Sequence, residues 1–146
     1  MEFTFDVYGK IQRPVAEVFD AVYNPGKLSQ YFTTGGASAP LDVGASITWD
    51  FADFPGAFPV VVTEMIPNRR IVLEWAAADG DYVTRTQLDF EALGDGATLV
   101  RIAEGTWRNT PEGLKASYGN CSGWMQMLCC LKAWVERGIN LREGFY

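Results

Sequence analysis

The chain has 146 residues, 48% hydrophobic, 14% aromatic and 21% charged, the composition of a globular chain able to build a core without metal or disulfide staples. Twelve Lys and Arg against 18 Asp and Glu leave a net charge of -6, which opposes binding to nucleic acid or to anionic lipid surfaces, both of which need clustered cations. Histidine is absent, so Ser-His-Asp and Cys-His hydrolysis, His-ligated metal and imidazole acid-base chemistry are excluded.

The opening Met1-Glu2-Phe3-Thr4-Phe5-Asp6-Val7 has no basic region leading into an apolar run, and no 18 apolar residues run uninterrupted anywhere, so a cytoplasmic location without membrane insertion is expected. One domain over 1–146 is expected from the length. Phe3, Phe5 and Val7 alternate with Thr4 and Asp6, the period of a strand with one buried face. Pro14 suits a first helical position, and Val15, Val18, Phe19 and Val22 follow at helical spacing. Asn24-Pro25 repeats the start signal and opens a second short helix through Leu28 and Tyr31. Thr33 to Ser38 has the composition of a flexible loop.

From Gly44 the period becomes two. Ile47, Trp49 and Phe51 share one face, and Ser46, Thr48 and Asp50 share the other. Asp53-Phe54-Pro55-Gly56 reads as a turn before a Val-rich strand from Phe58 to Ile66, which Pro67-Asn68 ends. Ile71, Leu73 and Trp75 mark the next strand; Asp79-Gly80 and Gly94-Asp95-Gly96 are hairpin signals around strands from Tyr82 to Glu91 and from Thr98 to Glu104. Strands at such short spacing pair consecutively and antiparallel. A long helix then begins between Pro111 and Gly123. Its apolar stripe, Trp124, Met127, Leu128, Leu131, Trp134 and Val135, is the one surface large enough to cover the sheet. Cys121, Cys129 and Cys130 lie in or beside this helix, with no cysteine elsewhere to pair with; the adjacent two diverge, so no shared metal is expected.

This order of elements, with Val15-Ala16-Glu17-Val18-Phe19, Leu28-Ser29-Gln30-Tyr31-Phe32, Val43 to Phe51, Ile66 to Trp75, Gly96 to Val100 and Gly123-Trp124, resembles the activator of heat-shock-protein-90 ATPase homologue-like family of the START and polyketide-cyclase-like SRPBCC superfamily. The resemblance spans nearly the whole chain. It implies an α+β helix-grip fold: a curved antiparallel sheet of about six or seven strands around a long C-terminal helix, with two short helices after the first strand. It also implies a cavity between sheet and helix that in relatives receives lipids, sterols, polyketides or other apolar molecules. Two departures narrow the implication. The eukaryotic co-chaperones of the family use an additional client-contacting domain for which this chain is too short. Ala103-Glu104-Gly105-Thr106-Trp107 stands where relatives often carry a histidine-containing segment.

Glu104 is the acid of most interest, because alternation with Val100 and Ile102 turns it inward, where it suits proton transfer or acceptance of a ligand hydroxyl. Glu64 shares the face of Val60 and Val62 if alternation runs unbroken, whereas Arg85 and Arg101 fall on the outward face. Gly94-Asp95-Gly96 is a turn and not a phosphate loop, since no helix start or Gly-Lys-Ser/Thr follows. The expected ligand-binding set is Trp49, Phe51, Leu73 and Trp75 on the sheet, Trp124, Met127, Leu128 and Leu131 on the helix, and Glu104 or Tyr82 as polar contact. The same apolar residues serve equally as ordinary core. The leading expectation is burial of an apolar or amphipathic small molecule with no cofactor and no metal. The alternatives are a cofactor-free cyclase, dehydratase or isomerase using Glu104, and a protein-interaction module with an exposed apolar patch.

Overall fold

The computed structural model describes residues 2–146, so Met1, at the head of the N-terminal segment read above, lies outside the described residues. In chain order the elements are β1 (Phe3–Ile11), α1 (Val15–Tyr23), α2 (Pro25–Leu28), β2 (Gly36–Ala37), β3 (Ile47–Phe51), β4 (Phe54–Ile66), β5 (Arg70–Ala76), β6 (Val83–Ala92), β7 (Thr98–Trp107) and α3 (Pro111–Arg137). The strands form one antiparallel sheet in the order β1-β7-β6-β5-β4-β3-β2. Every hairpin from β2 to β7 joins sequence neighbours, and the first strand closes the row beside the last. With α3 covering the concave face, this is a helix-grip fold.

Local chemistry accounts for the elements. Asn24 caps α2 by accepting from the Gly26 N–H at 3.0 Å, and Pro25 occupies the first turn. Thr110 caps α3 by accepting from the Gly113 N–H, and Gly138 ends it in a left-handed conformation at φ 67° that L side chains adopt at a cost. The stripe of α3 is buried at Trp124, Met127, Leu128, Cys130 and Leu131 against the inward faces of the strands. Its C-terminal half is tied to the end of β1: Glu136 accepts from the Gln12 N–H and from Lys132, and Lys132 donates to the Lys10 carbonyl. The helix accordingly lies closest to β1 and β7, leaving β3, β4 and the end of β5 less directly covered.

Four expectations require correction. Thr33 to Ser38 is not wholly loop, because Gly36 and Ala37 pair with Asp50 and Trp49 as the edge strand β2. The turn expected at Asp53 to Gly56 is confined to Ala52 and Asp53; Phe54 already pairs with Phe51, so Pro55 and Gly56 lie within β4. The second helix stops at Leu28, and Tyr31 follows in a turn, fully buried, its hydroxyl donating to the Ala21 carbonyl at 2.9 Å. Glu64 points outward: a register shift between Val62 and Glu64 inserts one residue against β5, so alternation restarts on the other face and Glu64 comes within 3.9 Å of Arg70.

A second bulge sits beside Glu104. Phe5 pairs with Glu104 but Phe3 with Trp107, so β7 carries an extra residue there, with Thr106 at φ 74°. Glu104 is inward by the regular alternation from Thr98, and the bulge after it returns Trp107 to the interior three residues later, where unbroken alternation places an even-numbered residue.

Candidate ligand-binding cleft

Glu104 is 2% exposed and no cation pairs with it among the described residues. Four side chains donate to it instead. Trp75 Nε1 and Thr84 Oγ1 donate to Oε2 at 2.7 and 2.6 Å, Trp124 Nε1 donates to Oε1 at 3.0 Å, and Asn120 Nδ2 reaches Oε1 and Oε2 at 3.0 and 3.1 Å. Indole and amide N–H groups are donors only, so this shell matches an acceptor-only carboxylate. The acid joins β5, β6, β7 and α3 at one point.

In front of Trp75, Trp124 and Asn120 opens a cleft of about 580 Å³, lined by Phe32, Phe51, Phe54, Trp75, Ala78, Gly119, Asn120, Gly123, Trp124, Arg142 and Tyr146. Its aromatic walls interlock: Trp75 and Trp124 lie 5.3 Å apart between ring centroids, Phe32 packs at 5.6 Å on Trp124, and Phe32 meets Phe51 edge-on at 5.0 Å. At the rim Phe54 and Tyr146 are 58% and 60% exposed, so the cleft opens to solvent there. A larger depression of about 700 Å³ lies at the Arg70 end of β5, away from Trp75. Its wall residue Arg70 is engaged by Asp89 at 2.7 Å, and Phe90 is the single aromatic residue in its lining.

Gly119 and Gly123 keep the 580 Å³ cleft open. They are four residues apart on α3 and so share a face, and a Cβ built on either meets open space within 4 Å. A mid-helix glycine costs roughly 0.5–1 kcal/mol relative to alanine, and here no close packing of the backbone offsets it.

The residues after α3 close the other side. Arg142 is 6% exposed; its Nη1 donates to Gln126 Oε1 at 3.1 Å and its Nη2 to Asp53 Oδ1 at 3.0 Å. Its Nε lies 3.0 Å from Asp53 Oδ2 as an ion-pair contact, but the angle makes no hydrogen bond. The guanidinium carbon sits 4.7 Å from the Phe51 ring centroid and 5.6 Å from that of Phe32.

Of the expected site residues, Phe51, Trp75 and Trp124 line the cleft. Glu104 sits behind them and orients both indoles. Trp49 is one layer deeper, edge-on to Trp75 at 5.8 Å, and Leu73, Met127, Leu128 and Leu131 are buried core. Tyr82 is outside the cleft: it donates to Asp79, accepts from the Arg108 N–H and lies under the Arg108 guanidinium, because it precedes β6 beyond the sheet edge of the site. Phe32, Phe54, Ala78, Asn120, Arg142, Tyr146 and the two glycines complete the lining without having been expected. The pair Gly119 and Gly123 was a legible signal, since two glycines at a four-residue interval leave a gap on one helix face. Arg142 carried none, because its burial depends on Asp53, which is remote in sequence.

Among the described residues no helix is long and apolar enough to cross a membrane, and no cluster of three His, Cys, Asp or Glu is placed to hold a metal. The family model described as activator of Hsp90 ATPase homolog 1-like protein matches residues 12–136. No match is found among the curated proteins. Among solved structures, the protein SSP2350 from Staphylococcus saprophyticus is 24% identical with a TM-score of 0.78, over 94% of this chain and 96% of that one. DynU16, a protein of the dynemicin biosynthetic locus, is 24% identical with a TM-score of 0.79 over 94% of this chain, which spans 48% of DynU16. The Aha1 dimer structure from Colwellia psychrerythraea is 21% identical with a TM-score of 0.73, over 93% and 98%. At these identities the likeness to solved structures shows the fold.

Proposed function

We propose, from the premise that the chain belongs to the activator of Hsp90 ATPase homolog 1-like family, that it binds a flat apolar or amphipathic small molecule in the cleft in front of Trp75 and Trp124. The observation that carries this reading is the aromatic cleft facing two mid-helix glycines that no close packing requires. Its volume is in the range of small-molecule sites. A ligand burying about 200 Å² of apolar surface there gains on the order of 5 kcal/mol before the costs of association. Rigid aromatic walls, fixed by Glu104 through the two indole N–H groups, hold the shape in advance of binding. Glu104 favours this reading over proton transfer, since its oxygens are already engaged by donors from four side chains.

The test is titration with Nile red, a neutral flat dye whose emission rises in apolar surroundings, together with native mass spectrometry of the purified protein. Wild type is expected to bind the dye, and Gly123→Leu to weaken binding by about tenfold or more with an unchanged far-ultraviolet spectrum, because leucine fills the cleft. Equal binding by both proteins overturns the reading, as does failure of wild type to bind the dye when it also carries no co-purified molecule.

A further inference from the structure

Within that reading of the cleft, on which the inference rests, we propose that the site selects a neutral aromatic molecule bearing both a hydroxyl and a carbonyl. The hydroxyl donates to Asn120 Oδ1 and the carbonyl accepts from the Arg142 guanidinium. The two groups lie on different walls, one on α3 and one on the segment that follows it.

The orientation of the Asn120 amide is fixed by its neighbour. Nδ2 donates to both oxygens of Glu104, and the reversed amide would set oxygen against carboxylate. Oδ1 is therefore turned away from Glu104, and among the described residues no group donates to it. It is an open acceptor in the wall of the cleft.

Arg142 supplies the complementary donor. A guanidinium carries five N–H groups, and hydrogen bonds of good geometry are made from one on Nη1 and one on Nη2. Of the other three, the Nε–H faces Asp53 Oδ2 at 3.0 Å, and the second N–H on each of Nη1 and Nη2 is without an acceptor among the described residues, on a side chain 6% exposed that lines the cleft and lies against Phe51. Buried donors left unmade are costly, so an acceptor arriving with a ligand is stabilised there.

Charge decides between a carbonyl and a carboxylate. Asp53 already neutralises Arg142, and Glu104 lies behind the floor of the cleft with no cation of its own. A ligand anion adds a further negative charge beside walls that hold one guanidinium for two carboxylates, whereas a neutral carbonyl takes the open N–H groups without that penalty.

A matched naphthalene series tests the assignment by calorimetric titration: naphthalene, 2-naphthol, 2-acetonaphthone, 6-hydroxy-2-acetonaphthone and 6-hydroxy-2-naphthoate. The hydroxy-ketone is expected to bind at least about tenfold more tightly than naphthalene, each single group to give part of that gain, and the naphthoate to bind more weakly than the hydroxy-ketone. In the paired variant Asp53→Leu with Arg142→Met, which removes both charges together, the gain from the acetyl group is expected to vanish while the gain from the hydroxyl persists. Affinities of the neutral members within about twofold of one another, or tightest binding by the naphthoate, overturn the proposal and leave the cleft a site of shape alone. Failure of every member, naphthalene included, overturns the binding reading itself. Should the paired variant not fold, the ranking on wild type decides.

Discussion

Trp75 on β5 and Trp124 on α3 are joined through one carboxylate: each indole N–H donates to a different oxygen of Glu104, at 2.7 and 3.0 Å, while the two rings lie 5.3 Å apart between centroids. Sheet and helix are thus registered against each other by a buried polar contact beside the aromatic cleft. Whichever way its amide faces, Glu104→Gln turns an NH₂ group toward at least one indole N–H, which has no lone pair to offer. It is expected to lower unfolding free energy by about 2–4 kcal/mol in urea titrations, more than a typical neutral hydrogen bond, because it leaves buried donors unpaired.

The two glycines lining the cleft lead to the opposite sign. Gly119→Ala and Gly123→Ala each place a methyl group in open space on an α3 face. Each is expected to raise stability by about 0.5–1 kcal/mol, read as a higher urea midpoint at unchanged slope.

Asp53 and Arg142 hold the segment after α3 onto the β3–β4 turn. Asp53→Ala leaves a buried guanidinium with only Gln126 as hydrogen-bond partner. A loss of about 1–3 kcal/mol is expected, with faster amide exchange concentrated in residues 138–146 and unchanged protection in β6 and β7.

Alkaline pH is expected to destabilise the protein in a defined window. Burial, helped by the neighbouring Cys129 and Asp53 and opposed by Arg142, pushes the Cys130 thiol from its ordinary 9.0 to about 11. Burial likewise holds the Tyr31 hydroxyl well above its ordinary value, with Cys130 adding to the effect. Above pH 9 the unfolded chain releases the thiol proton while the folded chain retains it, so the native state binds more protons and stability falls as pH rises, until about pH 11 for Cys130. The slope from this one group is at most about 1.4 kcal/mol per pH unit, and Cys130→Ala is expected to flatten it in a series of urea titrations.

Thiol reactivity follows the same burial. Cys129 is exposed, Cys121 half-buried and Cys130 buried. Iodoacetamide at neutral pH is expected to label Cys129 first and Cys130 only after denaturation, as read by peptide mass mapping.

By itself the sequence determined the frame. Period-two alternation placed Ile47, Trp49, Leu73, Val100, Ile102 and Glu104 on the inward face, and the stripe from Trp124 to Leu131 identified the helix that covers them, because both patterns follow from backbone geometry that each segment carries alone. Periodicity reports which face is turned away from water, however, and not whether protein or open space lies opposite. Trp75 and Trp124 face a cleft while Trp49, Leu73 and Leu131 face side chains, a distinction set by where α3 lies across the sheet. The outward turn of Glu64 and the return of Trp107 were settled by single extra residues in the strand ladder, which alternation does not anticipate. Arg142 and Asp53, 89 residues apart, meet only in the folded chain, and so does the donor shell of Glu104, drawn from β5, β6 and α3.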